Sequence, residues 1–183
     1  LFPAGDKGRI PIVGIAGSKG TSLTARLMSW LLQLTGKHVG LSCRDGLFLD
    51  KRMVDKRDCA NWAAGQRLLI NRSVDAAVFE NGAAMILGEG IAYDRCQVGI
   101  VTDAEGAESL ADFDIHNAEQ LYHVLRTQVD IVLPEGAAVL NAADPLVARM
   151  AELCDGDVIF YGLTQDLPAI AAHRAERLVD LHE

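Results

Sequence analysis

The sequence lacks the features that would place the protein in a membrane or on a nucleic acid. No hydrophobic stretch approaches the roughly 18 residues that a membrane span needs, and the first residues lack the basic, apolar and small-residue order of a signal peptide. Lys and Arg number 17 against 25 Asp and Glu, a formal net charge of -8, whereas phosphate backbones are bound by clustered basic side chains. We therefore expect a soluble protein with no membrane or nucleic-acid partner.

Cysteine is scarce, and no two cysteines are close in sequence. The four are Cys43, Cys59, Cys96 and Cys154, with no C-x-x-C pair. A chain of 183 residues that is 50% hydrophobic can bury a core without disulfides, so we expect reduced thiols in the cytoplasm. The length fits one compact domain, and Leu1 in place of Met predicts a processed chain or a domain cut from a longer one.

Hydrophobic patterning predicts a doubly wound α/β fold with a mostly parallel sheet. Short apolar runs bounded by turn residues alternate with segments of helical spacing, and parallel neighbours need such crossover helices. The strands are predicted over 10–16, 38–43, 75–79, 97–102, 136–140 and 158–161, with a hairpin over 47–54 and helices over 61–70 and 117–128. We place the domain at residues 1–162 and a tail at 163–183.

The chain begins with a strand, a glycine loop and a helix, the order of a P-loop. Gly17-Ser18-Lys19-Gly20 follows the first strand and Thr21-Ser22 opens the helix; the backbone N–H groups of such a loop face an anion. A working P-loop has Lys directly after its last glycine, and here that position is Thr21. The segment is therefore either a phosphate site, with Ser22 on a metal and Lys19 approaching a phosphate, or a turn needed only for packing.

The helix after the loop is predicted to be amphipathic. Its apolar residues recur at helical spacing, and Gly36 stands where a helix end favours a positive φ. The apolar positions are Leu23, Leu27, Trp30, Leu31 and Leu34.

Polar residues follow several predicted strands, at the edge where parallel sheets bind ligands. Glu80 ends the third strand and Asp103 follows the fourth. Asn141 and Asp144 come after a later strand, and Asp144-Pro145 has the composition of a helix start. Glu80 is either a metal ligand or a solvated acid, Asn141 a ligand contact or a brace for the turn, and Asp144 a ligand contact or an N-cap.

These segments together resemble the central ATPase domain of Mur ligases, specifically the Mur-ligase-like part of cyanophycin synthetases. The resemblance covers nearly the whole chain. Besides the glycine loop, it is carried by residues 37–41, 45–46, 58–59, 76–80, 93–96, 98–102, 139–145 and 171–175.

The resemblance implies ATP-dependent amide-bond formation through an acyl phosphate, with ATP and Mg²⁺ as cofactors. It assigns nucleotide contacts to Gly17, Ser18, Lys19, Gly20, Thr21, Ser22, Asn141 and Asp144, and metal contacts to Ser22 and Glu80. It also implies a parent ligase with an ATP-grasp domain, a peptide or cyanophycin-like substrate, a homo-oligomer, and a C-terminal lobe toward which residues 163–183 lead.

Four departures from the family pattern predict that the ligase chemistry is lost. Thr21 replaces the P-loop Lys, Leu125 stands where the family has its metal-bridging Lys, and residues 102–109 contain no His. Residues 81–85 lack the family's Arg. The longer stretch 81–91, which is apolar and rich in alanine, is either a loop over the site or an interface patch. Loss of such transition-state charge stabilisation costs about 10²-fold or more in rate.

Three hypotheses follow. The first is a degenerate, non-catalytic structural module of a cyanophycin-synthetase-type ligase, from which ATP and Mg²⁺ have been lost. The second is an active ATP-dependent ligase domain that adds an amino acid to a peptide polymer and uses Lys19 in place of the missing Lys. The third is a regulatory domain that binds ATP without hydrolysing it.

Overall fold

One eight-stranded sheet organises the chain. The computed structural model describes residues 8–180, so residues 1–7 of the predicted domain and 181–183 of the predicted tail lie outside it. The strands are β1 Ile12–Ala16, β2 Val39–Cys43, β3 Gly46–Leu49, β4 Arg52–Asp55, β5 Ala76–Asn81, β6 Cys96–Val101, β7 Val132–Asn141 and β8 Asp157–Tyr161.

Seven α-helices lie between or after these strands in the described part of the chain. They are α1 Thr21–Leu34, α2 Trp62–Leu69, α3 Ala83–Gly88, α4 Ala118–Leu125, α5 Thr127–Asp130, α6 Pro145–Arg149 and α7 Pro168–Asp180. Short 3-10 helices cover Ala107–Phe113 and Met150–Leu153.

The strand order is β4-β3-β2-β5-β1-β6-β7-β8. The six neighbours β2, β5, β1, β6, β7 and β8 run parallel to one another. At one edge, β3 runs antiparallel to β2 and forms a hairpin with β4. The predicted doubly wound, mostly parallel α/β fold is confirmed. Since β1 lies between β5 and β6, the ends of these three strands bring the glycine loop, Glu80 and Asp103 to one edge.

Several local predictions differ from the structure. Residues 81–91, for which a loop and a patch were the alternatives, contain the helix α3. The predicted helix over 117–128 is two short helices, α4 and α5, with Arg126 between them. The strand predicted over 136–140 begins earlier, at Val132.

Helix α1 faces the sheet with Thr21, Ala25 and Ser29 and with the partly buried Met28 and Leu32, while its main apolar stripe points away. Thr21, Ala25 and Ser29 are buried, one helical turn apart. Amphipathic helices usually bury their apolar stripe, but Leu23, Leu27, Trp30, Leu31 and Leu34 remain 42–74% exposed. The inward side carries Thr21, whose buried hydroxyl donates to Glu80 of β5, and residues at i, i+4 and i+8 share that side of the helix.

The chain after β8 forms a helix that packs back onto the sheet. The imidazole of His173 in α7 meets the Phe160 ring of β8 edge-on, with ring centroids 5.3 Å apart. The predicted boundary between residues 162 and 163 falls in the turn between β8 and α7 and stays a prediction. None of the helices within residues 8–180 is long and apolar enough to cross a bilayer.

All four cysteines carry free thiols. Cys43, Cys59 and Cys96 are buried and Cys154 is half-buried. Burial raises the pKa of Cys43 to about 11 and that of Cys96 to about 12, so these two thiols stay protonated and unreactive near neutral pH.

Candidate nucleotide-binding site

The loop between β1 and α1 has the backbone that phosphate-binding loops require. Gly17 has φ 133° and Gly20, the residue before α1, has φ 69°, both in the region that favours glycine. A Cβ at Gly17 would lie 2.0 Å from Thr102 Oγ1. The loop therefore needs glycine at Gly17 for its φ and for the close approach of the residues that follow β6.

The anion that this loop holds is a side chain of the protein itself. The backbone N–H of Ser18 donates to both oxygens of the Asp103 carboxylate at 3.1 Å, and the N–H of Lys19 donates to Oδ2 at 2.9 Å. Ser18 Oγ adds a 2.6 Å hydrogen bond to Oδ1. Converging N–H groups of this kind form the concavity in which P-loops bind phosphate, so Asp103 occupies the phosphate cradle.

The Asp103 carboxylate stays charged in this position. Burial alone would raise its pKa, but the hydrogen bonds from Ser18, Lys19 and Thr102 outweigh burial and lower the pKa below the ordinary Asp value. Thr102 Oγ1 lies 2.8 Å from Oδ2. Asp103 therefore holds a full negative charge at the place where a bound phosphate would put its negative charge.

Lys19 does not turn its ammonium group into the loop. Its Nζ forms an ion pair with the Glu105 carboxylate at the surface, and this contact raises the Lys19 pKa. The side chain is 70% exposed.

Glu80, at the end of β5, is buried and saturated with hydrogen-bond donors. Thr21 Oγ1 donates to Glu80 Oε1 at 2.6 Å, and Ser22 Oγ lies 2.8 and 3.0 Å from the two oxygens. Arg44 donates its backbone N–H at 2.8 Å and its Nε at 2.7 Å. Burial alone would raise the Glu80 pKa, but these donors lower it.

Arg44 is the residue of this site that sequence reasoning missed. It follows β2, the neighbour of β5 in the sheet, and its Nη2 donates to Thr21 Oγ1 at 2.7 Å. Thr21, which stands at the position of the P-loop Lys, thus links the guanidinium to the Glu80 carboxylate. No signal local to Arg44 indicates this contact, because it depends on the pairing of β2 with β5.

Asn141 and Asp144 hold backbone segments together. Asn141 Nδ2 donates to the Thr102 carbonyl at 2.9 Å, and its Oδ1 accepts from the backbone N–H of Ala143. Asp144 caps α6 through Oδ1, which accepts from the N–H of Leu146 at 2.9 Å, while its Oδ2 accepts from the N–H of Ala104 at 2.8 Å. The N-cap interpretation of Asp144 is therefore the one that its contacts support.

A cavity of about 270 Å³ adjoins the loop. Gly17, Ser18 and Arg44 lie along it, and Leu125 lines it with an apolar side chain where the family pattern has Lys. Ligand pockets usually measure about 300–1,000 Å³, so this space is small for a nucleotide. A larger cleft of about 990 Å³, around Arg9 and Tyr93, lies at the opposite, amino end of the strands and does not contact the loop.

The residues at the loop do not fit ATP with Mg²⁺ in the observed arrangement. The carboxylate of Asp103 takes the N–H groups of Ser18 and Lys19, and donors from Thr21, Ser22 and Arg44 take the oxygens of Glu80. Within residues 8–180, no three His, Cys, Asp or Glu side chains come together in a way that could hold a metal ion. Of the predicted site residues, the structure brings Ser18, Lys19, Thr21, Ser22 and Glu80 to the loop, without a free metal-ligating carboxylate.

Similar folds occur in solved structures of a ligase and of a folylpolyglutamate synthase. A solved structure of UDP-N-acetylmuramoyl-L-alanyl-D-glutamate–2,6-diaminopimelate ligase matches 86% of this chain and 33% of its own, with a TM-score of 0.70 and 14% identity. A bifunctional folylpolyglutamate synthase/dihydrofolate synthase, solved with Mn, AMPPNP and L-glutamate bound, matches with a TM-score of 0.59 and 13% identity. The fold is that of the central domain of Mur ligases.

The sequence comparison adds a more particular relationship. Cyanophycin synthetases of Synechocystis sp. and Crocosphaera subtropica are 36% and 38% identical to this chain over 94% of its length. The chain spans about 20% of the length of either relative. No family model matches the chain. The resemblance to the Mur-ligase-like part of cyanophycin synthetases is thus confirmed.

Proposed function

We propose that this chain is a degenerate, non-catalytic structural module of a cyanophycin-synthetase-type ATP-dependent amide ligase. Its partners would be the rest of the parent ligase, including the ATP-grasp domain, and further copies of itself, in the cytoplasm. The observation that carries the proposal is the Asp103 carboxylate in the phosphate cradle, bonded to Ser18 and Lys19.

The geometry at Asp103 opposes a phosphate for two reasons. The carboxylate is fixed beside the loop, so an incoming phosphate has to displace an intramolecular anion that is always present. If the phosphate bound without displacing it, two like charges about 4 Å apart near a protein surface would repel by about 4 kcal/mol, roughly a thousandfold in affinity.

The Glu80 contacts support the same proposal from the metal side. Arg44 already balances the Glu80 charge with a 2.7 Å ion pair, and a divalent cation at these oxygens would have to replace it. The second hypothesis, in which Lys19 replaces the missing Lys, has little support because the Lys19 ammonium pairs with Glu105.

One observation favours an ATP-binding regulatory domain as the second candidate. The Arg44 side chain is 51% exposed and lines the cavity beside the loop together with Gly17 and Ser18. A guanidinium therefore lies near the loop that lacks its Lys, and Arg binds phosphate well.

Calorimetric titration with ATP and Mg²⁺, followed by a phosphate-release assay on the same sample, tests the proposal. We expect no heat of binding at millimolar ATP for the unmodified chain. Asp103→Asn removes the competing charge and is expected to give measurable ATP binding without phosphate release. Asp155→Asn removes the same charge from an exposed residue and is expected to behave like the unmodified chain.

Two results would overturn the proposal. Saturable ATP binding by the unmodified chain without phosphate release would establish the regulatory domain. Binding with release would establish an active site, and Lys19→Ala and Arg44→Ala would then identify the cation that serves it.

A further inference from the structure

A cleft of about 990 Å³ opens at the amino ends of β1, β5 and β6, away from the glycine loop. Its floor is apolar. Ile12 and Val74 are buried there, and Ile10, Leu69 and Ile91 are half-buried. Pockets in which proteins bind small molecules measure about 300–1,000 Å³, so this cleft has room for a ligand with an apolar body of several carbon atoms.

The floor of the cleft is held in place by Tyr93. Its ring lies against the Phe79 ring, with centroids 5.0 Å apart. Its hydroxyl accepts a hydrogen bond from Asn81 Nδ2 at 2.8 Å and lies 3.1 Å from Gln128 Oε1, and all three polar side chains are buried. Because both ends of the Tyr93 side chain are fixed, the cleft is preformed, and a ligand would pay little to order it.

The acidic side chain of the cleft already has a partner. Among the described residues that line the cleft, Asp94 is the one carboxylate. Arg9 donates to its two oxygens from Nη1 at 2.7 Å and from Nη2 at 2.5 Å, and this contact lowers the pKa of Asp94 to about 2. The backbone N–H of Arg95 adds a bond to Oδ1 at 2.9 Å. The charge of Asp94 is therefore balanced by Arg9, and its oxygens are occupied.

Two further guanidinium groups line the cleft without a carboxylate partner. Arg72 makes no hydrogen bond or ion pair with the described residues. Arg95 donates from Nη1 to the Asp130 carbonyl, at 3.3 Å. Both side chains are exposed. The cleft thus carries two positive charges that its own carboxylate does not offset, on a chain whose formal net charge is -8.

The amide side chains of the cleft also present donors. Gln97 Oε1 accepts from the backbone N–H of Ile12 at 2.6 Å, and Asn71 Oδ1 accepts from the N–H and the hydroxyl of Ser73 at 3.0 and 2.9 Å. The NH2 groups of Gln97 and Asn71 bond to none of the residues that the structure describes. Each amide therefore uses its acceptor inside the protein and keeps two N–H donors. Such a set of polar groups suits a ligand whose polar end only accepts.

We propose that this cleft binds a small organic anion, with its apolar body on the floor and a carboxylate or phosphate head group held by Arg72 and Arg95. Guanidinium groups match both head groups with paired N–H donors. A cationic ligand would meet uncompensated positive charge, and a neutral one would leave the guanidinium groups unused. The inference goes beyond the structural role proposed above and does not rest on it, because the cleft does not contact the glycine loop.

Titration of the 15N-labelled chain with octanoate, followed by NMR, tests the proposal. We expect saturable shifts of the amide signals of residues 71–74 and 91–95, and no shifts at residues 17–22. Each methylene buried on the floor should raise the affinity about two- to fourfold, so octanoate should bind more tightly than hexanoate, and hexanoate more tightly than butyrate. Octylammonium, with the same chain and the opposite charge, should give no shifts. Octyl phosphate, compared with octanoate, identifies the preferred head group.

Substitutions of the two unpaired guanidinium groups test the polar half of the site. Arg72→Ala and Arg95→Ala should each weaken octanoate binding about fivefold, the upper range for an exposed ion pair. Arg52→Ala removes an exposed guanidinium from β4, at the edge of the sheet, and is the matched control that should bind as the unmodified chain does. Circular dichroism establishes that each variant is folded.

Several results would overturn the proposal. An absence of shifts at millimolar octanoate would show that the cleft binds no such anion, and shifts confined to α1 would place octanoate on the exposed leucines of that helix. Equal affinity for butyrate and octanoate would exclude the apolar floor. Equal affinity for octylammonium, or unchanged affinity in Arg72→Ala and Arg95→Ala, would exclude the guanidinium groups. None of these results involves ATP, so the two proposals fail separately.

Discussion

Arg44 and Glu80 form an ion pair across two adjacent parallel strands, with Arg44 Nε 2.7 Å from Glu80 Oε1. The carboxylate is almost fully buried and the guanidinium is half exposed. Together with the hydroxyl groups of Thr21 and Ser22, Arg44 gives the Glu80 carboxylate a complete set of donors inside the protein. Glu80, to which the resemblance assigns a metal contact, thus joins β2, β5 and the start of α1 through hydrogen bonds.

Arg44→Ala should destabilise the fold because it leaves the Glu80 charge buried with only neutral donors. Breaking a buried pair costs about 3–5 kcal/mol. Since Arg44 is half exposed, we expect a smaller loss of about 2 kcal/mol in the free energy of unfolding, measured in urea. Arg9→Ala, at an exposed pair with Asp94, is the matched control and should cost less than about 1 kcal/mol. Equal losses for the two variants would mean that the Glu80 pair has no special role.

The glycine loop gives a second prediction, for Gly17→Ala. A Cβ there would lie 2.0 Å from Thr102 Oγ1 on a backbone with φ 133°. Strained φ values cost about 1–3 kcal/mol and overpacking a similar amount, so we expect a loss of at least about 2 kcal/mol in urea unfolding.

Gly82→Ala is the control for that substitution. Gly82 has φ −70°, and a Cβ there meets no atom within 4 Å. Its cost should stay within about 0.5 kcal/mol. If Gly17→Ala left the free energy of unfolding unchanged, the loop would be able to shift away from β6. The contacts of Asp103 with the loop would then not be fixed.

The parts of the fold that the sequence predicts are those set by local signals. The run from Ile10 to Gly36 contains an apolar strand, a glycine loop and a periodic helix, and each is a feature of neighbouring residues. Glu80 and Asp103 could likewise be assigned to one sheet edge because each follows a strand of a parallel sheet.

The contacts of the site depend instead on which strands are neighbours. Arg44 meets Glu80 because β2 pairs with β5, and Asp103 meets the loop because β6 pairs with β1. Helical periodicity also does not indicate which side of α1 faces the sheet. The side that faces the sheet carries Thr21, which bonds to Glu80, whereas Leu23 and Leu27 lie on the exposed side.

Asp144 gives a third prediction, since its two oxygens serve different segments. Asp144→Ala removes the cap of α6 and the acceptor for the Ala104 N–H. An N-cap contributes about 1 kcal/mol, and the second acceptor adds a similar amount, so we expect a loss of about 2 kcal/mol in thermal or urea unfolding. Asn117→Ala, which removes only the cap of α4, should cost about half as much. A loss at Asp144 no larger than that at Asn117 would contradict the bridging role.

Asp103 and Glu80 predict a specific acid sensitivity. Hydrogen bonds hold the folded-state pKa of each carboxylate below its ordinary value, so the folded state favours the deprotonated forms. Their contribution to stability is present above the unfolded pKa values, about 3.9 for Asp and 4.3 for Glu. It is lost as the pH falls through the lower, folded values.

We therefore expect the free energy of unfolding in urea to change little between about pH 7 and pH 5 and to fall steeply below about pH 4. Each carboxylate contributes up to about 1.4 kcal/mol per pH unit to that slope, because the unfolded state then binds one more proton. Asp103→Asn and Glu80→Gln should each make the acid limb shallower, whereas Asp155→Asn, an exposed site, should leave it unchanged. An acid limb of the same slope in all four proteins would mean that neither carboxylate is held in its charged form by its hydrogen bonds, and that Asp103 does not repel a phosphate at the loop.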